Sequence, residues 1–108
     1  MRGYGRRPLH KVNDHQEECL NILQEECSEV IQAASKVKRF GILNRKPGAE
    51  LNNLQNLEME IGDVLAMIEL CKQAGIGLTD EGLERAKQDK FKRLSEHMHT
   101  WAETQHVD

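Results

Sequence analysis

Aromatic residues, prolines, net positive charge and long apolar runs are all scarce or missing in this chain, and each shortage removes a class of protein. Two phenylalanines, one tyrosine and one tryptophan leave any stacking on a planar ligand to Trp101 or Tyr4, and a tryptophan at a helix end more commonly serves packing. Only two prolines in 108 residues suit a helical chain. A net charge of -3 lacks the electrostatic footprint of a protein that binds nucleic-acid polymers. No stretch approaches the length of a membrane span, and MRGYGRRPLH at the start has no apolar segment of a secretory signal. Cys19, Cys27 and Cys71 are odd in number and form no C-x-x-C, so they read as packing residues in a reducing compartment. The expected location is cytoplasmic. Nucleophilic catalysis is set aside: Ser28 and Cys27 have no placed histidine, because all five histidines lie towards the chain ends.

With 31% charged and 38% hydrophobic residues, the chain is globular rather than disordered. Its length predicts one domain whose core is too small to cover its own helices, so oligomerisation is expected. Residues 1–13, with the basic cluster Arg2, Arg6, Arg7 and Lys11, read as a flexible, solvated lead-in. Residues 14–108 read as a single all-α domain, a bundle of about three main helices completed by oligomerisation.

Asp14 with Glu17 fits a capping box, and Leu20, Leu23, Cys27, Val30, Ile31, Ala34 and Val37 recur at helical spacing. Gly41 is placed to end this helix in a left-handed conformation. Residues 42–48 form the clearest loop, and a second helix is predicted over 49–74. Its segment VLAMIELC (64–71) is apolar on nearly every side, which predicts contact with a second subunit. After Gly75-Ile-Gly77, Thr79 or Asp80 can cap a third helix reaching about residue 100, with a stripe of Leu83, Lys87, Lys90, Phe91, Leu94 and Met98. No strand-like alternation or internal repeat is evident.

Two acidic pairs stand out, Glu26-Cys-Ser-Glu29 and Glu60-Ile-Gly-Asp63. Residues three apart share a helix face, so each pair can aim two carboxylates at one spot. Both pairs border apolar stripes, where unpaired carboxylates are costly to desolvate. If the first two helices pack antiparallel, the pairs meet in one cluster of four, whose repulsion a hard divalent cation relieves. Mg²⁺ is the simplest candidate, with Mn²⁺ as a substitute. Such a site beside inward-leaning cations suits a polyphosphate. The candidates are Lys87 and Lys90 within the third helix's stripe, Arg93 one turn on, and Lys36 and Arg39 near the end of the first helix. Snorkelling at Lys87 and Lys90, and favourable charge at a helix C-terminus for Lys36 and Arg39, are the structural alternatives.

The string Glu25-Glu26-Cys-Ser-Glu29, followed by Glu60-Ile-Gly-Asp63, resembles the E-E-x-x-E and E-x-x-D signature of the MazG-like, all-α nucleoside triphosphate pyrophosphohydrolases. The likeness extends through EVIQAASKVKRFG (29–41) and EIGDVLAMIEL (60–70), and Lys90-Phe-Lys-Arg93 is similar to a later basic motif. The resemblance implies Mg²⁺-dependent hydrolysis of a nucleoside triphosphate to monophosphate and pyrophosphate, in at least a homodimer, with a homotetramer equally open. It implies Glu26, Glu29, Glu60 and Asp63 as metal ligands, and Lys90 and Arg93 as phosphate contacts. Glu29 is the expected general base. The thirty residues from 30 to 59 are long for the motif and imply an enlarged loop near the substrate. A neutral polar position before the basic motif is occupied by Gln88. Two other readings compete. One is a helical adaptor without catalysis; the other is a carboxylate-bridged di-iron protein built on Glu96-x-x-His99.

Overall fold

The computed structural model describes residues 11–104, and among them every regular element is helical. The helices are α1 (Asp14–Phe40), α2 (Asn53–Gln73), α3 (Asp80–His97) and the single-turn α4 (Trp101–Thr104). The all-α expectation holds. Arg2, Tyr4, Arg6 and Arg7 lie outside the described residues. The chain divides into two compact units, one ending at Ile76 and one beginning at Gly77. The first holds α1 and α2, the second α3 and α4.

Helix α1 starts on Asn13 and not on Asp14. Gln16 N donates to Asn13 Oδ1 at 2.8 Å, and Asn13 N donates back to Gln16 Oε1 at 3.0 Å. This amide pair closes the same reciprocal box that Asp14 and Glu17 were expected to form. Those two acids instead occupy the first turn, where the exposed N–H groups favour negative charge. The helix ends at Gly41 as expected, but with φ 104° and ψ 153°. That is not the left-handed helical well; it is an extended region of positive φ that is essentially open to glycine alone.

Helix α2 begins four residues later than the pattern predicts, because residues 49–52 serve the connection. After a turn closed by Ala49 N on Lys46 O, the chain folds back over the start of α2. Asn53 N donates to Asn44 O (2.8 Å) and Leu54 N to Ile42 O (2.9 Å). Asn52 N reaches Gln55 Oε1, and Gln55 N reaches Asn52 Oδ1. All four N–H groups that a helix start leaves without intrahelical partners are thereby satisfied.

Helices α1 and α2 pack antiparallel. Ascending positions on α1 meet descending positions on α2: Gln16 Nε2 donates to Ala74 O at 2.9 Å, Cys19 neighbours Cys71, Glu26 neighbours Asp63, and Asn53 meets the last turn of α1. Asn53 is buried, and its Nδ2 donates to Gly41 O at 2.9 Å, with a longer approach to Lys36 O. Among the described residues, the buried apolar side chains are the small Cys19, Ala33 and Cys71, which lets two backbones approach closely. Burial, then the neighbouring Cys19, pushes the Cys71 thiol above its ordinary pKa. Larger apolar side chains such as Leu23, Leu57, Val64 and Ile68 are half-buried, while Ile31 is 68% exposed and Leu65 62%. No helix among the described residues is long and apolar enough to cross a membrane.

In the second unit, the Thr79 hydroxyl accepts from Gly82 N at 2.9 Å and starts α3. Met98, extended at φ -82° and ψ 124°, stops that helix before the expected residue 100. Glu96 therefore lies on the helix and His99 beyond it, so the E-x-x-H spacing does not sit on one helical face. Trp101 opens α4 and packs against Phe91, ring centroids 6.4 Å apart.

Asn53 joins both ends of the α1–α2 connection, so its replacement separates two effects. Asn53→Ala leaves the Gly41 carbonyl without its donor and lowers stability by about 1–3 kcal/mol in urea unfolding. Asn53→Asp presents an acceptor to two carbonyl oxygens and is expected to cost more than the alanine.

Candidate functional site

Antiparallel packing brings the two acidic pairs to one place midway along the hairpin. Glu26 and Glu60 are half-buried and Asp63 is exposed, and one carboxylate oxygen from each lies within 4.8 Å of the others. Glu29 is outside this group of three but beside it. Together with Gln32, Ala33, Lys36, Asn56 and Glu60, it lines a small polar recess of about 100 Å³.

Electrostatics registers the crowding. Desolvation raises the Glu26 carboxyl above its ordinary pKa, followed by the charges of Asp63 and Glu60, a hydrogen bond with Asp63, and Glu29. Glu60 is also raised, first by desolvation, then by Glu29 and Asp63 and a hydrogen bond with Asp63; Lys36 opposes the shift. Asp63 thus lies within hydrogen-bond reach of both glutamates.

The donor set suits a hard divalent ion. Its three atoms are anionic oxygens without nitrogen or sulfur, as Mg²⁺ and Mn²⁺ prefer. Octahedral coordination with metal–oxygen distances of about 2.1 Å separates ligand oxygens by roughly 3–4.2 Å, a spacing compatible with carboxylate oxygens held this close. Glu29 is left free of the tight group, adjacent to Glu60.

The cations anticipated from sequence fall in different surroundings. Lys36 is at the acidic site, sharing the recess with Glu29 and Glu60. Arg39 lies over the ring of Phe40, 5.0 Å from its centroid. Lys87, on α3 in the second unit, forms an exposed ion pair with Glu84 at 2.9 Å. Gln88 also donates to Glu84, at 2.8 Å, and these two hydrogen bonds lower the Glu84 pKa. Lys90 and Arg93 are exposed on α3.

Gln32 and Asn56 escaped the sequence reading. Both carry neutral amides into the recess, Gln32 three residues after Glu29 and Asn56 four before Glu60. Helical spacing from the motif acids was the available signal. A second, larger cleft adjoins this recess. It measures about 490 Å³ and is mostly apolar, with Phe40, Asn44, Lys46 and Leu51 among its walls; Lys36 and Asn56 belong to both.

The model of the MazG nucleotide pyrophosphohydrolase domain matches residues 14–99. No curated protein and no solved structure matches the chain significantly.

The raised carboxyls predict how the metal-free protein responds to pH. Glu26 and Glu60 hold protons more tightly folded than unfolded, so their stabilising contribution is full below about pH 4.5, the ordinary value. It is lost as pH rises through their raised folded values. Thermal melts in EDTA from pH 4 to 7 are expected to show Glu60→Gln gaining on the parent as pH increases. A constant difference would show that neither burial nor mutual repulsion raises these carboxyls in solution.

Proposed function

The chain belongs to the MazG nucleotide pyrophosphohydrolase family, and from that membership we propose a Mg²⁺-dependent nucleoside triphosphate pyrophosphohydrolase. It converts an NTP or dNTP to the monophosphate and pyrophosphate. The observation that carries this reading is the convergence of Glu26, Glu60 and Asp63 oxygens within 4.8 Å, with Glu29 beside them and outside the tight group.

Glu26, Glu60 and Asp63 would hold the metal, with Glu29 completing the ligand set or acting next to it. When bound, Mg²⁺ neutralises triphosphate charge and lowers the pKa of a water molecule. Glu29 accepts a proton from the attacking water as its oxygen bonds to the α-phosphorus. The bridging P–O bond on the far side of that phosphorus breaks, and pyrophosphate departs with the bonding electrons. Lys36, at the edge of the recess, offsets phosphate charge that the carboxylates alone would repel. Arg39, Lys87, Lys90 and Arg93 are proposed as further phosphate contacts on the strength of motif and charge.

We extend the proposal to assembly. Cys27, Val30, Ile61 and Val64 line an apolar recess that shares no residue with the acidic one, and Ile31 and Leu65 beside it are largely exposed. A second copy, in a homodimer or homotetramer, would cover this face. Cytoplasmic residence fits the three free thiols, and the net charge of -3 favours a nucleotide over a nucleic-acid polymer as substrate.

Ion-exchange product analysis with a panel of NTPs and dNTPs is expected to show monophosphate and pyrophosphate with Mg²⁺ and neither with EDTA. Glu60→Gln should lose roughly 100-fold in turnover together with Mg²⁺-dependent thermal stabilisation. Glu29→Gln should lose about as much turnover while keeping the thermal shift; full turnover would remove Glu29 as the base. Absence of both turnover and any Mg²⁺ effect would return the chain to the adaptor reading.

The assembly is tested separately by light scattering coupled to size exclusion. The parent should elute as a dimer or tetramer and Leu65→Glu as a smaller species. A monomeric parent would refute a covered apolar face.

A further inference from the structure

The larger cleft has no role in the chemistry above, yet its position and lining are specific. It lies between the last turns of α1 and the connection 41–52, and it meets the acidic recess at Lys36 and Asn56. A molecule with a polyanionic end and a planar, weakly polar end would span both. We propose, resting on the functional reading above, that this cleft receives the nucleoside end of the substrate, with the base against Phe40.

Four observations converge on that assignment. The first is size: about 490 Å³ lies within the range of small-molecule sites and leaves room for a purine as well as a pyrimidine. Second, Phe40 is 54% exposed and lines the cleft, so its ring is accessible to a ligand there. The chain's other described aromatics, Phe91 and Trp101, already pair with each other. The Arg39 guanidinium lies over one face of the Phe40 ring, and an aromatic face is a stacking platform that suits any base.

Third, the polar lining is neutral or cationic. Asn44 and Asn56 carry amides, each with both donors and an acceptor for base or sugar edges, and Lys46 adds a donor. No carboxylate lines this cleft, in contrast to the recess beside it. Lys36 stands at the junction, where a phosphate would pass from one to the other.

Fourth, the walls are held in place before any ligand arrives. The connection gives the Asn44 and Ile42 carbonyls to the first N–H groups of α2, and Asn53 ties Gly41 to the same point. A preformed wall loses little freedom on binding. The same bonds use up the N–H groups at the start of α2, so that helix end has no donors left for phosphate. The triphosphate is thereby directed to the acidic recess and the nucleoside to the cleft.

The test separates the two ends of the ligand. Calorimetry with Mg²⁺ would compare a nucleotide with a non-hydrolysable α,β-bridge against inorganic tripolyphosphate, which has no nucleoside. Phe40→Ala is expected to weaken the nucleotide analogue roughly ten-fold and leave tripolyphosphate unchanged. Phe40→Trp, which keeps an aromatic face, should retain analogue binding and guards against a folding artefact in the alanine variant. Equal analogue affinity in Phe40→Ala and the parent would overturn this inference and leave the hydrolase reading intact. Failure of the parent to bind either ligand would overturn both.

Discussion

The close antiparallel approach of α1 and α2 is the constraint on which the rest of the first unit depends. Cys19, Ala33 and Cys71 make that approach possible because they are small, and the Asn53 and Gln16 side chains set its register at the two ends. A large residue at any of the three positions would separate the backbones and widen the distance between Glu26 and Glu60. Four carboxylates on two helices become one electrostatic object only while that register holds. The raised Glu26 and Glu60 pKa values are its direct consequence.

This arrangement places stability and function in opposition. Like charges concentrated at mid-hairpin destabilise the metal-free chain, and a thin seam of small residues gives little apolar burial to offset them. The connection compensates locally. By satisfying the start of α2 with its own carbonyls, it fastens the hairpin where the proposed nucleoside cleft opens. The same bonds serve the fold and order the walls of the proposed nucleoside cleft. The apolar flank at Ile31 and Leu65 is where assembly would supply the remainder of the burial.

Electrostatics divides the neighbouring surfaces by role. The recess at Glu29 and Glu60 is polar and small; the cleft at Phe40 and Asn44 is larger and mostly apolar. Lys36 belongs to both and moderates the Glu60 shift. Nucleotide chemistry needs such a division, since a triphosphate demands charge and a base demands a flat, dry surface. The substrate proposed for this MazG family member has the same two ends, a charged triphosphate and a flat base.

Helical periodicity, the glycine stops and the acidic pairs were legible from residues alone, because they depend on spacing within one helix. The sequence by itself therefore determined the all-α class, the end of α1 at Gly41, and which acids share a face. Its errors lay at helix termini: Asn13 displaced Asp14, the connection claimed residues 49–52, and Met98 ended α3 early. A start is decided by which groups satisfy four free N–H bonds, and two of those groups on α2 are carbonyls from distant residues. Only the tertiary structure decided that Glu26, Glu60 and Asp63 converge while Glu29 stands beside them. It also brought Asn56 and Lys36 together at the boundary of two clefts. The physical reason is the same in each case: distances between helices follow from packing register, which no periodicity within a single helix can specify.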